Sequence, residues 1–120
     1  MRTHEIAVKR IYESPSDDDG TRILVDRLWP RGMSKERARV DQWMKQVSPS
    51  NELRKWYQHE PEKWDEFRHR YHQELRRVQD DVNVLAEMTR LDKVTLLYSS
   101  QETELNNAVA LKLYLDEILD

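Results

Sequence analysis

Two arginines, an aspartate and a tryptophan stand together where an apolar segment of the chain ends. Residues 23–25 form an uninterrupted apolar run, and Asp26, Arg27, Trp29 and Arg31 follow within six residues, interleaved with a proline and a glycine that break regular structure. The planar guanidinium of arginine matches the geometry of carboxylate and phosphate groups. This segment therefore predicts an anion-binding site at the exit of a buried strand.

A second set of polar side chains follows another apolar run, residues 94–98. Two serines come first, and two asparagines follow where a last helix is expected to begin. The free N–H groups and the dipole of a helix start favour an anion, and ligands of open α/β sheets bind beyond the carboxyl ends of parallel strands. We therefore expect one small pocket between the two segments. Its predicted ligand-binding residues are Arg27, Trp29, Arg31, Ser99, Ser100, Asn106 and Asn107.

The alternative to this pocket is a purely structural role, in which Arg27 pairs with an acidic residue and Trp29 packs in the core. Asp26 is expected to be the buried partner of one of the arginines; a role as general base is its weaker, catalytic interpretation. Ser99 and Ser100 lack the flanking glycines of a nucleophile elbow and any nearby histidine, so acyl transfer is not expected.

Two other groups of side chains could bind a metal. Residues 17–19 are three aspartates in a turn-forming loop, and His69 and His72 lie three residues apart on a predicted helix. A solvated acidic loop is the favoured interpretation of the first, because the ligand spacing of a calcium loop is absent. Arginines flank the histidines, and the chain has no cysteine. We therefore expect no metal and no cofactor.

The composition indicates one folded domain spanning residues 1–120, with a heavily charged surface. Charged residues make up 36% of the chain, yet the net charge is only −3, and four tryptophans add large apolar area. A negative net charge argues against a dedicated nucleic-acid binder. No apolar run approaches the roughly 20 residues that a membrane span needs. A cytoplasmic location is the resulting expectation, and the composition does not bear on the oligomeric state.

Three strands are predicted, over residues 5–12, 22–28 and 93–99. The second and third are separated by a long helical region, which favours a parallel pair joined by a crossover. The loop after the first strand is too short for a helical crossover, which favours an antiparallel edge strand. The predicted fold class is α/β, with a small three-stranded mixed sheet flanked by about five helices.

The helices are predicted from apolar periodicity and capping residues. Val40, Trp43, Met44 and Val47 fall on one stripe of a helix over residues 34–47. Further helices are expected after Ser48, over residues 61–78, from Asp80 or Asp81 to Leu91, and over residues 103–119.

Four segments resemble the YeaO-like proteins, small bacterial proteins that carry domain of unknown function 488. These segments are VDRLWPRG at 25–32, LRKWY at 53–57, WDEFR at 64–68 and VTLLY at 94–98. The resemblance implies a compact α/β fold and a bacterial cytoplasmic setting, but no reaction.

The chain departs from this family at one place. Relatives tend to carry a basic residue and an aspartate after the third strand, and then an Asn-His pair; here the matching residues are Gln101, Glu102, Asn106 and Asn107. A role for that histidine in proton transfer or metal binding cannot operate in this chain.

A second functional hypothesis is a non-catalytic interaction module for nucleic acid or an acidic protein. Its binding surface would be a set of basic helix faces, for which ordinary solvated surface is the simpler explanation. The residues are Lys35, Arg37, Arg39, Arg54, Lys55, Arg68 and Arg70.

Overall fold

Four parallel strands form the sheet of the computed structural model, which describes residues 5–119. The strand order is β1-β4-β2-β3, so strands two and three of the sequence prediction are the adjacent parallel pair that was expected, β2 and β4. The strands are β1 (Ile6–Arg10), β2 (Thr21–Leu24), β3 (Gln42–Trp43) and β4 (Val94–Tyr98).

The predicted three-stranded mixed sheet is wrong in the direction of β1 and in the number of strands. β1 does lie at the edge, but it pairs in parallel with β4. The connection over residues 11–20 returns along the sheet without an α-helix and contains one 3₁₀ turn, Asp17–Asp19. This is possible because a five-residue strand spans only about 17 Å, whereas ten residues can reach about 33 Å. The Thr95 hydroxyl donates to the Asp19 carbonyl over 2.7 Å, which fixes this connection against β4.

The predicted helix over residues 34–47 is also wrong. Helix α1 covers only Lys35–Ala38 and ends at Arg39, whose φ of 48° is left-handed. The buried guanidinium of Arg22 explains this ending, because it donates to the carbonyls of Ala38 (2.7 Å) and Arg39 (3.1 Å). The chain then turns to form β3 beside β2. Of the predicted apolar stripe, Trp43 lies in this strand and Val47 in a 3₁₀ turn, while Val40 and Met44 flank the strand.

Four further α-helices follow: α2 (Asn51–Tyr57), α3 (Trp64–Arg77), α4 (Gln79–Leu91) and α5 (Asn107–Leu119). With α1 they make five α-helices among the described residues, the number that the sequence predicts. Helix α2 begins after Ser50 rather than after Ser48, and the Ser50 hydroxyl accepts the Leu53 N–H. No helix within residues 5–119 is long and apolar enough to cross a membrane.

Alternation along the strands divides the core between the two faces of the sheet. Val94, Leu96 and Tyr98 of β4 pack with helices α2 to α5. Leu97 faces the other side, where α1 and the segments around it supply a smaller cluster that includes Ile11. Four helices thus cover one face, while the other is covered mainly by the connection over residues 11–20 and by residues 29–43.

Candidate functional site

A cleft of about 840 Å³ opens at the carboxyl ends of β1, β4 and β2. Its walls are the segments that follow these strands, together with α2 and the loop after it. Because the three strands are parallel neighbours, the residues that follow them emerge at one edge of the sheet. The structure brings six of the seven predicted ligand-binding residues to this cleft: Arg27, Trp29, Arg31, Ser99, Ser100 and Asn107.

Asp26 connects the segments that follow β2 and β4 with the first residue of α5. One carboxylate oxygen accepts the backbone N–H (2.9 Å) and the hydroxyl (2.8 Å) of Ser99, and the other accepts the Asn107 amide at 3.1 Å. The expected ion pair with an arginine does not form, since Asp26 lies in no salt bridge with a residue of the described range. Neutral donors from β4 and α5 therefore compensate this carboxylate.

The two predicted arginines differ in how firmly they are held. The half-buried guanidinium of Arg27 lies 3.4 Å from the carbonyl oxygens of Ser48 and Pro49, at the long limit of a hydrogen bond. Arg31 is exposed, and its side chain has no hydrogen bond or ion pair with any residue of the described range. Both guanidiniums therefore retain donors for a bound anion.

Trp29 both lines the cleft and packs in the protein, the two alternatives that the sequence leaves open for it. It lines the cleft, and its indole N–H donates to the Met33 carbonyl over 2.6 Å. Its ring meets that of Trp43 edge to face, with 5.4 Å between centroids. The Trp43 indole N–H donates in turn to the Asp26 carbonyl at 2.8 Å. Trp29 thus packs against the sheet and supports the loop that carries the arginines.

Arg10 belongs to the cleft, and sequence reasoning missed it. Its Nε donates to the Ser100 carbonyl over 2.8 Å, and its guanidinium lies 4.7 Å from the centre of the Tyr12 ring. The Tyr12 hydroxyl donates to the Arg31 carbonyl at 2.7 Å, which joins the end of β1 to the loop after β2. The predicted antiparallel β1 places Arg10 at the opposite end of the neighbouring strands, away from the cleft, so the sequence does not predict this residue in the site.

Arg54 and Lys55 of α2 add two more cations to the lining. The sequence placed them only on a basic helix surface, because nothing local shows that α2 borders the strand ends. A tertiary contact holds α2 at this position: the Tyr57 hydroxyl of the same helix donates to the Leu105 carbonyl over 2.7 Å. Burial, with the nearby Glu102 carboxylate, raises the pKa of Tyr57 to about 12, so this phenol stays protonated and the contact is kept.

One expectation about the serines is corrected by the tertiary structure. Ser100 does have a histidine beside it, because His59 Nε2 lies 3.4 Å from the Ser100 hydroxyl oxygen. That separation is long for a hydroxyl–imidazole hydrogen bond, and the site is exposed. The same hydroxyl oxygen accepts the Glu102 N–H at 2.9 Å, which fixes the turn after β4.

Asn106 is the predicted site residue that the cleft does not contain. It is fully buried, its amide donates to the Glu102 carbonyl (2.9 Å), and its side-chain oxygen accepts the Val109 N–H (2.9 Å). It therefore acts as the N-cap of α5, which begins at Asn107 rather than at residue 103 as predicted. The side chain of Asn106 occupies one of the N–H groups that the sequence assigned to an anion.

The two histidines of α3 have different surroundings. His72 is buried, and its Nε2 donates to the Ala110 carbonyl of α5 over 3.0 Å, whereas His69 is exposed. Burial lowers the pKa of His72, so the ring is neutral at neutral pH. In residues 5–119 no three side chains of the metal-binding types come together.

Comparisons with known proteins agree on one family. A family model described as "Inactive DUF488-N3 subclade" matches residues 5–120. An uncharacterized protein of Escherichia coli, YeaO, is 42% identical over 106 residues, which cover 88% of this chain and 92% of that protein. An uncharacterized protein of Mycobacterium tuberculosis is 48% identical over 91 residues, or 76% of this chain and 74% of the relative. No solved structure matches the chain significantly.

Proposed function

Because this chain belongs to the YeaO-like DUF488 family, in the subclade described as inactive, we propose that it binds a small phosphate- or carboxylate-bearing molecule without transforming it. The ligand occupies the cleft at the carboxyl ends of β2 and β4, and its anionic group lies against Arg27 and Arg31.

The observation that carries this proposal is the excess of uncompensated positive charge in the cleft. Five basic side chains line it: Arg10, Arg27, Arg31, Arg54 and Lys55. None of them forms an ion pair with a described residue, while six other basic side chains of residues 5–119 do. Asp26 is the one carboxylate in the lining. Concentrated charge of one sign in a cleft attracts a ligand of the opposite sign.

Binding without catalysis is favoured by the state of Asp26. A general base must be free to take up a proton from the substrate. Both oxygens of Asp26 already accept hydrogen bonds, three in all, from Ser99 and Asn107. A non-catalytic role agrees with the description of the subclade as inactive.

The test is isothermal titration calorimetry at low salt with phosphate, pyrophosphate and citrate, on the natural protein and on Arg31→Ala. Arg31 is exposed and its side chain has no partner in the described range, so the variant is expected to fold normally. We expect at least one of the three anions to bind, and Arg31→Ala to weaken that binding by about tenfold, since a charge-assisted hydrogen bond contributes about 1.5–3 kcal/mol.

The matched control is Arg77→Ala, which removes an exposed arginine of α3 that does not line the cleft. It is expected to leave every affinity unchanged. The proposal fails if none of the three anions binds, or if Arg77→Ala weakens binding as much as Arg31→Ala does.

The alternative, an interaction module built on basic helix faces, has less support. Arg70 pairs with Glu66 over 2.7 Å and stacks on Trp56, and Arg54 and Lys55 face the cleft rather than a flat surface. Electrophoretic mobility of DNA and RNA at low salt tests its nucleic-acid form, for which we expect no retardation.

A further inference from the structure

We propose that the anion is a nucleotide with two or more phosphates, whose phosphate chain crosses the cleft between the arginines and whose base lies against Leu28. This inference rests on the proposed function of the cleft and names the chemical class of its ligand.

The amount of charge in the cleft is the first argument. Five cations face one carboxylate, and neutral donors already compensate that carboxylate. A lone carboxylate or a monophosphate would leave most of this positive charge without a counterion. A nucleoside di- or triphosphate carries several negative charges on one chain and so matches the lining in both sign and amount.

The distribution of the cations is the second argument. Arg10 is the last residue of β1 and Arg27 follows β2, and β4 lies between these strands. Neighbouring strands are about 4.8 Å apart, so β1 and β2 are separated by about 10 Å. Arg31 is held on the β1 side, because its carbonyl accepts the Tyr12 hydroxyl. An anion that reaches both sides must be elongated, as a phosphate chain is.

The third argument is the apolar surface that accompanies this charge. Leu28 stands next to Arg27 in the lining and is 65% exposed. Inorganic polyphosphate would leave this side chain in water, whereas a flat nucleobase would cover it. The volume of about 840 Å³ also lies in the upper part of the 300–1,000 Å³ range of small-molecule sites.

The experiment compares ATP, GTP, CTP and UTP with tripolyphosphate by isothermal titration calorimetry in EDTA, on the natural protein, Leu28→Ser and Leu91→Ser. Leu28→Ser removes the exposed apolar contact of the cleft. Leu91→Ser is the matched control, because Leu91 is 79% exposed on α4 and does not line the cleft. We expect at least one nucleotide to bind tenfold or more tighter than tripolyphosphate. Leu28→Ser should remove most of this difference in affinity between the nucleotide and tripolyphosphate, and should leave the affinity for tripolyphosphate unchanged. Leu91→Ser should leave both affinities unchanged.

Three outcomes would overturn the inference in distinguishable ways. If tripolyphosphate binds as tightly as every nucleotide and Leu28→Ser changes neither, the base has no site here, although the proposed anion-binding function stands. If tripolyphosphate and the nucleotides all fail to bind and phosphate, pyrophosphate and citrate fail too, the proposed function and this inference fall together. A nucleotide that binds tightly to the natural protein and equally to Leu28→Ser would refute the placement of the base.

Discussion

The side-chain amide of Asn107 donates a hydrogen bond to the carboxylate of Asp26 over 3.1 Å and a second to the Val25 carbonyl at 3.1 Å. The first residue of α5 is thereby fastened to the segment that follows β2. The Ser99 hydroxyl and N–H attach the end of β4 to the same carboxylate. One acidic side chain thus sets the relative positions of three elements that border the cleft.

The first prediction concerns this contact. Asn107→Asp places a second carboxylate beside that of Asp26, where two like charges cannot both ionise without cost. We expect the variant to lower the free energy of unfolding by about 2 kcal/mol or more at pH 7, since it also removes a half-buried hydrogen-bond donor. The loss should be smaller at pH 4.5, where one carboxyl can hold a proton. Urea unfolding at both pH values measures this, and Asn83→Asp, an exposed amide of α4, should show no such difference.

The second prediction compares the two glycines of the chain, which both have positive φ. A Cβ on Gly20 would lie 2.2 Å from the Lys93 carbonyl oxygen, whereas a Cβ on Gly32 would meet no atom within 4 Å. Gly32→Ala should cost only the strain of left-handed backbone, about 1–2 kcal/mol. Gly20→Ala must also displace the connection over residues 11–20 from β4, and we expect it to cost at least twice as much. Thermal unfolding of both variants decides this, and equal losses would contradict the close packing described.

Much of the architecture follows from local composition, but the direction of β1 does not. The unbroken apolar run of β4 predicts a central strand covered on both faces, and the polar residues after β2 and β4 identify the edge where the cleft lies. The connection over residues 11–20 is too short to hold a crossover helix, and this shortness favours an antiparallel β1. The inference fails because a parallel connection does not require an α-helix. Gly20 and the Thr95–Asp19 contact let a segment with a single 3₁₀ turn make that crossing.

The remaining errors come from contacts between residues far apart in the chain. Arg22 ends α1 by binding carbonyls sixteen and seventeen positions further along, which no periodicity records. Arg10, Arg54 and Lys55 line the cleft because of where β1 and α2 pack. Local sequence patterns therefore predict only two of its five basic residues. Asn106 shows the converse, because it lies in the right segment but is used as a helix cap.

The third prediction tests the buried ion pair that supports the connection between β1 and β2. The Asp19 carboxylate accepts hydrogen bonds from Arg22 and Lys9, and Arg22 is 4% exposed. Asp19→Asn leaves a buried guanidinium without a counterion, which typically costs about 3–5 kcal/mol. Asp17→Asn, an exposed change in the same turn, should cost less than about 0.5 kcal/mol. Urea unfolding at pH 7 measures both, and similar values for the two variants would show that the pair contributes little.

The last prediction concerns acid sensitivity and His72. Burial holds the pKa of this histidine below 6.5. Arg68 and Arg76 act in the same direction, whereas the hydrogen bond to the Ala110 carbonyl and the Glu117 carboxylate act against it. The unfolded chain takes up a proton near pH 6.5 and the folded chain only at lower pH, so the free energy of unfolding must fall as pH drops below 6.5. His72→Gln removes this titrating side chain. It should flatten the pH dependence of the free energy of unfolding between pH 7 and pH 5, and should also lower the stability at pH 7. His69→Gln, on the exposed side of α3, should retain the full slope. Urea unfolding of both variants at four pH values decides the matter, and a slope left unchanged by His72→Gln would refute the assignment.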